Sequence, residues 1–162
     1  MGFGLDVRFC PEDQNWPSTS HVCEIEIDPD TGTLEIMRYV VVEDLGTELN
    51  PMLVDGQTHG GLAQTIGQAL MENIVFDPDS GQLVSGSFMD YTMPRADDFC
   101  WFERESEPVP TKLNPLGVKG GGELAPVACL PAMFNALDDA LAGADIAMPA
   151  ISERIWRAMG NR

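Results

Sequence analysis

With 162 residues, 44% of them hydrophobic, the chain is long enough to build one domain around one core. Its 26 acidic residues against 9 basic ones give a net charge of −17, which repels nucleic acid and anionic lipid and excludes both as expected partners. No apolar run approaches the ~20 residues of a membrane span, and the N-terminal segment is too polar for a secretion signal. The four cysteines, Cys10, Cys23, Cys100 and Cys129, form no CxxC pair. They therefore spell neither a zinc nor an iron–sulfur site, and buried free thiols in a reducing, cytoplasmic compartment are expected.

Residues 1–20 carry glycine and proline with no period and read as an extended N-terminal arm, leaving 21–162 as the domain proper. Residues 21–28 (HVCEIEID) set Cys23, Ile25 and Ile27 against Val22, Glu24, Glu26 and Asp28, the period-2 pattern of a half-buried strand. Asp28-Pro-Asp-Thr-Gly32 turns the chain into a β-branched second strand over 33–42, which predicts a hairpin. The same punctuation returns as Asp77-Pro-Asp-Ser-Gly81 between 73–76 and 82–85. Neither turn is a calcium loop of the EF-hand kind, because the position twelfth from Asp28 is Tyr39, where a bidentate Glu is required. His21 and Cys23 share a strand face but have no second metal-ligating pair beside them.

Over 51–73 the period becomes helical, with Leu62, Ile66 and Leu70 as the apolar stripe. Gly56, Gly60, Ala63 and Gly67 make a second face almost free of side chains, although each interior glycine costs about 1 kcal/mol relative to alanine. Gln57, Gln64 and Gln68 run beside it as a row of amide donors and acceptors. Such a row suits a heterocycle with many hydrogen-bonding edges, or simply faces water while the small residues pack on a sheet.

Residues 86–98 read as a polar loop, 99–103 (FCWFE) as a short buried strand and 105–110 as a linker. The stretch 114–126, NPLGVKGGGELAP, joins Gly120, Gly121 and Gly122 to Glu123 at the mouth of a helix. Glycine lets backbone approach a bound group closely, and helix-start N–H groups favour an anion. The plainer alternative is a flexible turn followed by a first-turn acid. Lys119 precedes the glycines, but no Ser or Thr follows it, so the phosphate-binding P-loop pattern is not met. Leu130, Phe134, Leu137 and Leu141 continue a helical stripe, with Pro131 predicting a regular helix only from about that residue. Gly143 ends it. A last helix over 149–159 turns Ile151, Ile155 and Met159 inward, carries Arg154 and Arg157 towards its C-terminal end and stops at Gly160. The expected class is α+β, helices packed on a mixed or antiparallel sheet.

Three separated segments carry a family pattern. LNPLGVKGGGELAPVACLPAMFNALDDAL resembles the final active-site segment of the molybdopterin-binding large subunits of the xanthine dehydrogenase, aldehyde oxidase and aerobic carbon monoxide dehydrogenase family. VDGQTHGGLAQTIGQALMENIVFDPDSGQLVSGSFMDYTMPRADD resembles their preceding segment, and MPAISERIWRAM their C-terminal helix. The resemblance implies that Glu123 is the general base beside molybdenum, in water-derived hydroxylation of a carbon centre or oxidation of CO. It further implies that Gln57 contacts the pterin, that Gly120, Gly121 and Gly122 let backbone approach the cofactor, and that Gln64 contributes from the same helix face. No residue of this chain is implied as a direct metal ligand.

The implied cofactor is molybdenum-molybdopterin, with the cytosine dinucleotide form as one option, shared with upstream parts of the subunit. Iron–sulfur and FAD subunits are the implied partners, and the isolated chain is expected to be inactive. Leu124-Ala125 and Thr65 stand where many relatives have Ala-Gly and Gly. The competing reading is a non-catalytic remnant or interaction module that keeps the fold without cofactor, with a homo-oligomer covering the exposed face.

Overall fold

The computed structural model describes residues 4–10 and 13–160. β1 (Ser18–Ile27) and β2 (Leu34–Asp44) form the expected antiparallel hairpin, and β3 (Phe102–Ser106) adds to the other side of β2 in parallel, giving a mixed sheet in the order β1-β2-β3. Three helices complete the chain: α1 (Pro51–Leu70), α2 (Leu124–Ala140) and α3 (Ser152–Gly160). β1 starts at Ser18, so the last residues of the expected arm belong to the sheet.

The inward face of β2 is set by an irregularity in pairing. Glu24 pairs with Arg38 but Ile25 pairs with Ile36, so Met37 is an extra residue that shifts the parity of the strand. Ile36 on one side of it, and Tyr39, Val41 and Glu43 on the other, therefore all face inward. Tyr39, Val41, Leu62, Ile66, Phe102, Cys129 and Met133 join this face to α1 and α2 in the main core. Leu137, Leu141, Ala150 and Ile155 build a second cluster under α3. Cys23, Cys100 and Cys129 are free thiols in or beside the main core, whereas Cys10 is exposed. Burial pushes the Cys23 thiol up to about 12 and that of Cys129 to about 11, so both stay neutral.

α1 crosses α2 closely because Gly61 has no side chain: a Cβ there would lie 2.8 Å from Pro126 Cδ and 3.1 Å from Ala125 Cβ. The face expected to be bare is open at Gly56 and Gly60, but Gly67 is covered by Glu72 and Pro94.

Two expectations about element limits are corrected. The third strand runs over Phe102–Ser106 rather than 99–103, because Arg104 and Ser106 continue the inward alternation begun by Phe102, while Phe99 and Cys100 pack on the core from irregular backbone. The predicted linker thus begins inside a strand. α2 begins at Leu124, not near Pro131. Pro126 lies in the first turn, where no intrahelical donor is needed, and Pro131 and Val127 are both exposed, leaving the bereft carbonyl to water. Among the described residues no helix is long and apolar enough to cross a membrane.

Candidate functional site

At the end of β2 the chain continues through residues 45–50 and meets the glycine-rich segment 117–122 edge to edge. Lys119 N donates to Leu45 O at 2.9 Å, Thr47 N donates to Gly117 O at 2.9 Å, and Gly46 and Val118 form an antiparallel bridge. Asn114 steadies the turn from inside, its Nδ2 donating to Val118 O and its Oδ1 accepting from Val118 N. Asn50 then caps α1 by accepting from Leu53 N, with Pro51 at the first helical position. These pieces enclose a mainly apolar groove of about 330 Å³ whose walls include Leu45, Leu53, Val54, Gln57, Gly121 and Gly122.

The residues expected at a site distribute around this groove unevenly. Gln57 stands on one wall and Gly121 and Gly122 on the facing one. A Cβ on Gly122 would meet Gln57 Oε1 at 3.9 Å, while one on Gly120 would meet nothing within 4 Å. Gly121 lies against Leu45, where a Cβ would come within 2.4 Å of Cδ2, so this glycine is needed for the approach of the two segments. Glu123 comes directly after as the N-cap residue of α2; it is exposed and makes no side-chain capping bond. Gln64 is also exposed but lies two helical turns beyond Gln57, about 10 Å along the axis, and is not part of the groove wall.

Two charged arrangements flank the groove. Asp44 accepts from Lys119 Nζ at 2.5 Å and from the backbone N–H groups of Gly46 and Val109, each at 2.9 Å. Partial burial pushes its carboxyl up, but Lys119 and the two N–H groups outweigh that and hold it below the ordinary carboxylate range. Beside it, Arg104 reaches Glu43 at 2.7 Å, Asp55 at 3.0 Å and Glu48 on the groove wall. Glu43 is fully buried and takes a further bond from Thr58 Oγ1 at 2.9 Å. Burial pushes Glu48 up, and bonds from Ser106 and Arg104 bring it below its usual value.

Comparison with known proteins assigns the fold. A family model described as the molybdopterin cofactor-binding domain matches residues 8–100, more than half of the chain. The chain belongs to this family. Among curated relatives of the molybdopterin cofactor-binding domain, the carbon monoxide dehydrogenase large chain of Afipia carboxidovorans is 34% identical over 150 residues, covering 91% of this chain and 18% of the relative. The nicotine 6-hydroxylase large subunit of Paenarthrobacter nicotinovorans is 37% identical over 141 residues, covering 85% and 17%. In structure, a Cu,Mo-CO dehydrogenase superposes with a TM-score of 0.87 at 33% identity, over 94% of this chain and 20% of that one. Quinoline 2-oxidoreductase from Pseudomonas putida 86 gives 0.81 at 39% identity, over 88% and 18%. The chain thus spans about a fifth of the length of these relatives, and its helices on a mixed sheet are those of the molybdopterin-binding domains of molybdenum hydroxylases.

The charged residues around the groove are what sequence reasoning missed. For Glu43 and Arg104 a signal existed: in 40–44, VVVED, and in 102–106, FERES, each occupies the inward parity of its strand, and a charge buried there has to be paired.

Proposed function

We propose that the chain is the C-terminal molybdopterin-binding part, or a split subunit, of a molybdenum-dependent hydroxylase or dehydrogenase, with Glu123 as general base and Gln57, Gln64 and Gly120–Gly122 as part of the cofactor cradle. The observation that carries this reading is the meeting of Gln57 with the side-chain-free backbone of Gly121 and Gly122 across one groove, with Glu123 the next residue. The group fits what is present: an amide with both donor and acceptor capacity faces backbone that leaves room for a planar ring. When bound, the molybdenum carried by molybdopterin would supply the two-electron oxidation. Gln57 would orient it by hydrogen bonds, Gly120 and Gly122 would leave it space, and Glu123 would accept the proton released as water-derived oxygen reaches the substrate carbon.

Glu123 is exposed in this chain, so its shielding from water falls to the upstream part of the subunit. Phe88, Met89 and Trp101 are also exposed and give a partner apolar surface to cover. The reading includes iron–sulfur and FAD subunits to carry electrons away, a cytosine dinucleotide form of the cofactor, a cytoplasmic location and an inactive isolated chain.

The test is Glu123→Gln in the assembled enzyme, with molybdenum content measured beside turnover. Turnover is expected to fall about 100-fold or more at full molybdenum occupancy, whereas Gln57→Ala is expected to lower the molybdenum retained. Undiminished turnover in Glu123→Gln rules out the base. An assembly that never retains molybdenum points instead to a non-catalytic module.

A further inference from the structure

We propose that Asp44 is a positioning residue: its carboxylate pins Lys119 and the end of β2 together and so fixes the glycine segment from which Glu123 is presented. Three stretches of chain converge on this one side chain. Oδ2 accepts from Lys119 Nζ at 2.5 Å, and Oδ1 accepts from Gly46 N and Val109 N at 2.9 Å each. The neighbouring backbone shares the same plan, with Lys119 N on Leu45 O, and Thr47 N and Thr111 N both on Gly117 O. The Asp44 and Lys119 side chains are only 15% and 12% exposed, so water and salt screen their attraction far less than that of a surface pair.

Lys119 lines the groove, but the clamp turns its side chain to Asp44. Its ammonium is already committed to Asp44. The three glycines after Lys119 have little internal preference for any one conformation. Such a segment holds a carboxylate in register only if its entry point is fixed, and a displacement of about 1 Å at a reacting group can cost about 100-fold in rate. Lys119 is that entry point, and the helix start at Leu124 is the exit.

The consequence for turnover rests on the proposed role of Glu123 as base; the clamp itself is measurable on the 162-residue chain without any ligand. Amide hydrogen exchange of Thr47, which donates to Gly117, and of Leu124, which donates to Gly121, reports on the segment, and the β1–β2 ladder amides serve as reference. Asp44→Asn keeps an oxygen for Gly46 and Val109 but loses the charge. It and Lys119→Met are each expected to raise exchange at Thr47 about tenfold relative to the ladder, and the double variant to add little to either single. Lys119→Arg is expected to restore most of the protection.

The proposal is overturned if the Thr47 and Leu124 rates stay put, if they rise only in step with the ladder, or if the two substitutions simply add. In the cofactor-loaded enzyme, Asp44→Asn is expected to lower kcat with little change in KM. A loosened segment with unchanged kcat, where Glu123→Gln still lowers turnover, would overturn Asp44 as a positioning residue and leave Glu123 as the base; unchanged kcat in both variants would remove the catalytic role of Glu123 and leave only the structural clamp.

Discussion

The chain contains the same turn twice, and the two copies meet different fates. In Asp28-Pro-Asp-Thr-Gly32, Gly32 N donates to Asp28 O at 2.8 Å and Asp28 N to Thr33 O at 2.9 Å; in Asp77-Pro-Asp-Ser-Gly81, Gly81 N donates to Asp77 O at 2.9 Å and Asp77 N to Gln82 O at 2.8 Å. Both glycines take a left-handed φ, +72° and +69°. Each first Asp carboxylate folds back onto backbone N–H two residues on. Yet the first turn joins strands of ten and eleven residues, while the second joins an isolated bridge between Phe76 and Leu83. The local code makes the turn in both places. The length of the strands is decided by what lies underneath: β1 and β2 rest on α2 and on the two core clusters, whereas Ile74, Val75, Phe76 and Val84 are exposed.

That contrast predicts its own largest test. Ile36, opposite Ile25 in the first hairpin, is 5% exposed, and Leu83, opposite Phe76 in the second, is 40% exposed. Ile36→Ala removes buried methyl groups and leaves a cavity, for an expected loss of about 2–5 kcal/mol. Leu83→Ala is expected to cost below about 1 kcal/mol. Denaturant unfolding of the two variants measures both, and equal losses would mean that the second hairpin is as much a part of the core as the first.

The glycines of the two turns sharpen the comparison at a smaller scale. A Cβ on Gly32 would lie 2.3 Å from Ser152 O and 2.7 Å from Trp156 N, because the first turn is packed against α3; a Cβ on Gly81 would meet nothing within 4 Å. Gly81→Ala should therefore show the cost of the left-handed backbone alone, about 1–2 kcal/mol. Gly32→Ala adds displacement of α3 and is expected to reach about 3 kcal/mol. At roughly 2–4 °C per kcal/mol for a chain of this size, melting temperatures separate the two. If they coincide, the contact between turn and α3 contributes nothing.

The same division runs through what was legible from sequence. The two turns, the β1–β2 hairpin, the helix expected over 51–73 and found as Pro51–Leu70, and the position of Glu123 at a helix mouth arise from local chemistry. The extra residue Met37 in β2, the displaced β3 and the passage of α2 through Pro131 depend on partners distant in sequence, which no local period encodes. The groove shows the same limit: Gln57 and the glycine segment were identifiable one by one, their sharing of one pocket was implied only by the family resemblance, and the contacts that bring them together involve Leu45, Thr47 and Asp44, which the periodicity of β2 does not single out. A side chain such as Asp44, with three donors from three segments, has its importance written only in the fold.

The last test distinguishes the hairpins by pH. β1 carries His21, whose Nδ1 lies 2.9 Å from Tyr39 Oη and whose Nε2 is buried without a partner among the described residues; residues 73–85 contain no histidine. Burial lowers the His21 pKa from 6.5 to about 4, because a charged ring in this place would lose its water. In the unfolded chain the ring takes up a proton below pH 6.5, whereas in the folded chain it stays neutral until about pH 4. Between those values the unfolded state binds more protons, so stability declines as pH falls from 6.5 to 4 and this contribution levels off below. The carboxylates whose pKa values are lowered on folding, Asp44 and Glu48 among them, impose their own decline further into acid. The diagnostic is therefore the difference between the native chain and His21→Gln, tracked by denaturant unfolding at successive pH values. The difference is expected to change between pH 6.5 and 4 and to be constant above about pH 7. Two curves that stay parallel throughout would mean that water reaches Nε2 in the folded chain and that the buried edge of β1 is open to solvent, as the second hairpin already is.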